Sequence, residues 1–159
     1  RMGTAYVISV FLHILFAAFW IGGMLFLPLV LLPAIKNNPD RVSLLHKTGI
    51  KFRFYGWIVL AGLLITGIYN MHVKGMPFTR EFLMENGYGR LLGVKMLAFA
   101  LMLTIGAIHD FYLGQKAIEE MKQNGMNWLK LIARWSGRIN LFLSVIIAFL
   151  GVALSRGGL

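Results

Sequence analysis

The chain contains no cysteine. Disulfides, thiolate metal sites and a cysteine nucleophile are thereby excluded. Charge is scarce as well: 14% of its 159 residues are Asp, Glu, Lys or Arg, where ordinary soluble domains sit near about a quarter. Acids are scarcest, six against 16 Lys and Arg. Nearly all six lie outside the apolar runs, so no paired carboxylates suited to general acid–base work arise. A phosphate-binding glycine loop, a zinc-protease motif and Ser-His-Asp spacing are also missing. No internal repeat, low-complexity tract or domain-separating linker is visible.

What is present is apolar length. The chain is 58% hydrophobic. No Asp, Glu, Lys or Arg occurs from Met2 to Ile35, from Phe54 to Val73, or from Ile139 to Ser155. Leu91 to His109 is interrupted only by Lys95. A helix crossing a hydrocarbon core of about 30 Å needs about 20 such residues. A soluble globular protein is excluded, and the net charge of +10 does not signal a nucleic-acid partner. The runs lack the short alternating pattern of membrane β-strands. The expectation is an all-α integral membrane four-helix bundle. It forms a single four-span domain over 1–159, with spans at roughly 8–33, 53–74, 90–112 and 138–156.

Four crossings put both termini on one side. The loops between spans one and two and between spans three and four carry ten basic residues, the other side five. Lys and Arg in short loops stay in the cytoplasm, so those two loops are expected to be cytoplasmic and both termini extracytoplasmic, in a bacterial inner membrane. The first run is too long for a leader's apolar region and is read as a true span. In the first loop, Asn38, Pro39 and Gly49 suggest a short helix capped at Asn38 and ended at Gly49. In the second loop, Pro77, Thr79 and Gly87 suggest another. The WLKLIARWSGR segment alternates aromatic and basic residues as headgroup-level anchors do. Glycines inside the spans allow close helix approach or room for a flat ligand, close approach being the commoner use.

Ionisable residues within spans are rare and mark function. Here they are His13, His72, Lys95, His109 and Asp110, with His46 in the first loop. His13, His72 and Lys95 fall in the outer leaflet. Lys95 and His109 are 14 residues apart, about 40° off one helix face, with Met102 between them. Two imidazoles on neighbouring helices suit axial ligation of haem b, and a cation suits its propionates. His13 and His72 are the expected axial pair and Lys95 the propionate contact, with His109 and His46 a candidate second pair. A membrane quinone or another redox partner, and an oxidoreductase activity, go with that reading, and homo-oligomerisation is left open. Copper is the alternative: Met71, His72 and Met76 cluster at the end of span two, and Met24, Met96 and Met102 could line a path. Methionine in apolar chains is mostly packing. His109 beside Asp110 also reads as a hydrogen-bonded pair ending the span. Asn140, Ser144, Gly151 and Ser155 form a stripe on span four that reads as interhelical glue.

Four segments in order carry a resemblance: LHILFAAFWIGGMLFLPLVLLPAI, LLITGIYNMH, GVKMLAFALMLTIGAIHDFYLG and RINLFLSVIIAFLG. Together they resemble the copper resistance protein D (CopD) superfamily of four-helix membrane domains. The resemblance implies copper uptake or tolerance in the inner membrane. A more distant similarity is to the HemJ-type protoporphyrinogen oxidases, of the same size and span order. That similarity implies haem binding and maps a span-one histidine to His13 and a span-three lysine to Lys95. Their Asn-Glu-x-Pro pattern is not matched, since Leu141, Phe142 and Leu143 follow Asn140. The departure bears on oxidase activity and not on haem binding.

Overall fold

The computed structural model describes residues 3–77, 79–110 and 128–157. Helix α1 spans Thr4–Phe26 and continues through a π-helical turn, Leu27–Leu31, into a short piece, Leu32–Ala34. Helix α2 spans Arg41–Val73, α3 Arg80–Glu85, α4 Gly87–Ile108 and α5 Trp128–Ser155. Among the described residues, four helical stretches are long and apolar enough to cross a membrane: Thr4–Ala34, Arg41–Val73, Gly87–Ile108 and Arg134–Ser155. Large side chains such as Leu29, Ile65 and Leu97 point outward from them. Exposed apolar area on that scale is stable only against lipid. The expected all-helical, four-span architecture is therefore present.

The chain divides into two compact units, Arg1–Phe78 and Thr79–Leu159. The first pairs α1 with α2. The pairing is antiparallel, and aromatic rings of one helix fill glycine notches of the other. A Cβ added at Gly56 would lie 2.8 Å from Trp20 Cζ3, and one at Gly62 would lie 2.5 Å from Phe16 Cε2. Gly23 meets the Phe52 ring in the same way. Phe52 also stacks on Trp20, with ring centroids 5.4 Å apart. Of the two uses foreseen for these glycines, close packing is the one realised here.

The connection into α2 differs from expectation. Asn38 Oδ1 accepts the Asp40 N–H at 2.8 Å, an Asx-turn, and the helix starts only at Arg41. It then runs through Gly49 to Val73 without a break. A helix stop at glycine uses a left-handed backbone, and Gly49 does not adopt one. Its cost of about 1 kcal/mol relative to alanine is absorbed by the continuous ladder. No separate loop helix forms. His46, expected in a loop, sits on α2, which extends well before the expected start of span two because a helix need not end where the hydrocarbon does.

The real stop comes later. Gly75, with φ of 72°, donates to His72 O, and Met76 N–H donates to Met71 O. This is a full Schellman closure. Gly75→Ala is expected to cost about 1 kcal/mol in a denaturant or thermal melt of the purified protein, because only the left-handed backbone is penalised.

In the second unit, Thr79 Oγ1 accepts the Phe82 N–H and caps α3, the short helix foreseen in that loop. Asn86 Oδ1 accepts from both Tyr88 and Gly89 and caps α4. Arg90 Nε donates to Met84 O at 2.6 Å, satisfying a carbonyl at the end of α3. Gly89 packs directly on the Phe82 carbonyl. Helix α5 covers Trp128–Ser155, so the WLKLIARWSGR segment is helical and continuous with the fourth span. The expected end of span three at 112, and the first part of the loop after it, lie outside the described residues.

Candidate functional site

Within the first unit the glycine notches give way, toward the N-terminus of α1, to polar residues. His13 Nδ1 lies 2.7 Å from Thr66 Oγ1, a bond between residues 53 apart in sequence. Gly67 makes room for the imidazole: a Cβ there would sit 3.4 Å from His13 Cε1. The Thr66 hydroxyl also lies 2.8 Å from Gly62 O and 3.3 Å from Leu63 O. Thr66 is buried and His13 half-buried.

Ser9 and Asn70 extend the same seam. Ser9 is one turn before His13 on α1, and Asn70 one turn after Thr66 on α2. The antiparallel register sets Phe52 against Gly23, Trp20 against Gly56, Phe16 against Gly62 and His13 against Thr66. It therefore brings Ser9 and Asn70 to one level. Ser9 Oγ and Asn70 Oδ1 are buried atoms without a hydrogen-bond partner. The signal for Ser9, Thr66 and Asn70 in the sequence was weak: uncharged polar residues in apolar runs, with no local pattern to pair them.

The other candidates are placed as follows. His72 is exposed on the last turn of α2. It lies six residues beyond Thr66, about 240° around the helix, so its side chain leaves a different face. Met71 and Met76 are half-buried at that helix end. His46 is half-buried near the opposite end of α2, and Met24 is half-buried on α1.

In the second unit, α4 and α5 run antiparallel along one polar seam. Lys95 lies beside Gly151, where a Cβ would be 3.2 Å from Nζ. Met102, 2% exposed, receives a 3.1 Å contact from Ser144 Oγ on Sδ. Ser144 Oγ is also 2.8 Å from Asn140 O. Asn140, 4% exposed, packs its Nδ2 on Gly106, and its Oδ1 has no partner. The stripe foreseen on span four does join helices here. At the far end of α4, His109 Nδ1 is 3.1 Å from Asp110 Oδ1, the local pair the sequence suggested. Met96 is exposed.

No group of three or more His, Asp or Glu side chains able to hold a metal ion occurs among the described residues. A metal held here would rest on one imidazole plus neutral donors. Such a set does not make the multi-carboxylate shell that hard divalent ions require.

A family model and two relatives match the chain. Residues 47–154 match the family described as copper resistance protein D. An uncharacterised protein of Aquifex aeolicus (strain VF5) is 33% identical over 149 residues, covering 92% of this chain and 93% of that protein. The copper transport protein CutJ of Bacillus subtilis (strain 168) is 32% identical over 115 residues, 71% of this chain. This chain corresponds to only 20% of CutJ. No solved structure matches. With four apolar spans and a family match over two thirds of its length, the chain is a multi-pass membrane protein that belongs to the copper resistance protein D family.

Proposed function

We propose that the protein binds copper in a bacterial inner membrane and hands it across or along that membrane, with His13 as the central ligand. The single observation that carries this reading is the His13–Thr66 bond, an imidazole held at a defined angle within a helix pair. Metal-binding histidines are held in this way through their second nitrogen. The family description and the name of CutJ both carry copper. Met71 and Met76 at the end of α2 supply thioethers of the kind that suit Cu(I) near the site's mouth. In this reading the basic loops are cytoplasmic, both termini are outside, and the four spans act as one domain. The His13 level then opens outward, and the aromatic layers of Phe16, Trp20 and Phe52 close it from within.

Haem b electron transfer, the leading expectation from the sequence, gives way to copper. Neither comparison names haem. The glycine notches that a flat macrocycle would use between α1 and α2 hold aromatic rings instead. The quinone or redox partner and the oxidoreductase activity belonged to the haem reading. The bilayer is the partner that the four spans require.

The test is direct. Protein purified in detergent and supplied with copper under reducing conditions should retain it stoichiometrically and show no Soret band. A Soret band that shifts with dithionite, in protein without copper, would reverse the choice.

A further inference from the structure

We infer that the groove between the C-terminal end of α4 and the N-terminal part of α5 is a site for one anionic phospholipid, with its phosphate on Arg134 and Arg138 and an acyl chain between Ile108 and Ile139. The inference is independent of the copper reading and rests on side chains of α4 and α5 alone.

The groove is an open cavity of about 370 Å³, within the size range of ligand pockets. Ile105 and Ile108 form its α4 wall, and Leu131, Ile132, Trp135 and Ile139 its α5 wall. It flanks the contact of Asn140 with Gly106, which sets the two helices close together. Apart from one serine hydroxyl the lining is apolar, so the part of a guest that enters must be hydrocarbon. Ile108, Leu131, Trp135 and Ile139 are all exposed and leave the groove open to that guest.

Charge sits at one edge of the groove and at one level. Arg134 and Arg138 are exposed and one helical turn apart, with Cβ atoms about 5–6 Å from each other. That spacing lets two guanidinium groups grip one phosphate. Side chains on a helix lean toward its N-terminus. The Arg138 guanidinium accordingly lies over Trp135, 5.1 Å from the ring centroid. A ring face holds a cation without neutralising it. Arg138 is also the last charge before the uncharged run Ile139–Ser155. Its guanidinium therefore leans out of the hydrocarbon to headgroup level, while Ile139 continues into it.

The occupant follows from these two parts. No Asp or Glu occurs from Trp128 to Leu159, and neither arginine meets a carboxylate among the described residues. An anion is the missing partner. A second copy docked two-fold through this face would set both arginines against their equals. Free phosphate would leave the apolar walls uncovered, and a zwitterionic lipid would bring its own cation to the arginines. An anionic phospholipid supplies both the phosphate and the chain.

The experiment uses the full chain, equilibrated with equal amounts of phosphatidylglycerol and phosphatidylcholine and read by native mass spectrometry, with a thermal melt of each variant. The wild type should retain one phosphatidylglycerol in about 10–30-fold preference, as two interfacial arginines at about 1 kcal/mol each provide. Arg134→Gln with Arg138→Gln should bring the ratio near one. Arg156→Gln, at the other end of α5, should leave it unchanged. Ile108→Trp keeps both arginines and fills the groove, and should lose the retained lipid without lowering the melt, since position 108 is exposed. Inorganic phosphate should not displace the lipid. The proposal is overturned by an unchanged ratio in the double arginine variant, by full retention in Ile108→Trp, or by displacement with phosphate. It also falls if the wild type retains no lipid, as it would were the groove filled by the chain itself, or if the wild type is a dimer that Ile108→Trp dissociates.

Discussion

Replacing His13 by alanine is expected to weaken copper binding by about 100-fold or more while leaving the protein folded. The imidazole is the one nitrogen ligand the seam contains, and the remaining donors are neutral oxygens. The fold should tolerate the change. The lost interhelical hydrogen bond is worth about 0.6 kcal/mol on average in membrane proteins, and the α1–α2 pair is held mainly by rings in glycine notches. Copper binding by competition with a chromogenic chelator, together with a thermal melt, reads both quantities. His46→Ala and His72→Ala serve as companions: both should bind copper nearly as the wild type does. If His72→Ala abolishes binding and His13→Ala does not, the metal sits at the mouth with Met71 and Met76 instead.

The second large effect is structural. Gly89→Val is expected to cost about 3 kcal/mol or more, at the upper end of overpacking penalties. A Cβ at Gly89 runs into the Phe82 carbonyl, and a backbone atom cannot rotate away as a side chain can. Relief requires opening the α3–α4 corner. That would break the Asn86 cap on Tyr88 and Gly89 and the Arg90 bond to Met84 O. Each such cap is worth about 1 kcal/mol. Gly93→Ala, one turn on, is the control. Its nearest neighbour would be 3.8 Å away at Leu83 Cδ2, an ordinary contact, and its melt should stay near the wild-type value. A Gly89→Val protein as stable as the Gly93→Ala protein would show that the corner does not depend on this contact.

The way glycines are used shows how far local sequence reaches. Gly62 and Gly49 look alike in the chain, each a glycine in a helix-forming stretch. Gly62 receives the Phe16 ring, whereas Gly49 has nothing within 4 Å and does not stop its helix. Their difference lies in what the partner helix brings opposite. The same holds for the ligands. His109 and Asp110 are neighbours, so their pairing was legible. Thr79 lies just before its helix, so its cap was legible as well. The His13–Thr66 bond joins residues 53 apart and depends on a register that no local pattern encodes.

Composition alone determined that the chain crosses a membrane four times as helices, because lipid leaves a backbone no other way to satisfy its hydrogen bonds in so many apolar residues. It also named the few polar side chains that such spans must account for. Tertiary structure decided which of them meet. In lipid both faces of a helix can be apolar, so the sequence carries no strong signal for which face turns inward. Only the packing of Phe16, Trp20 and Phe52 into glycine notches sets the α1–α2 register and brings His13 to Thr66. Along α4 and α5, the fit of Lys95 at Gly151 and of Met102 at Ser144 does the same.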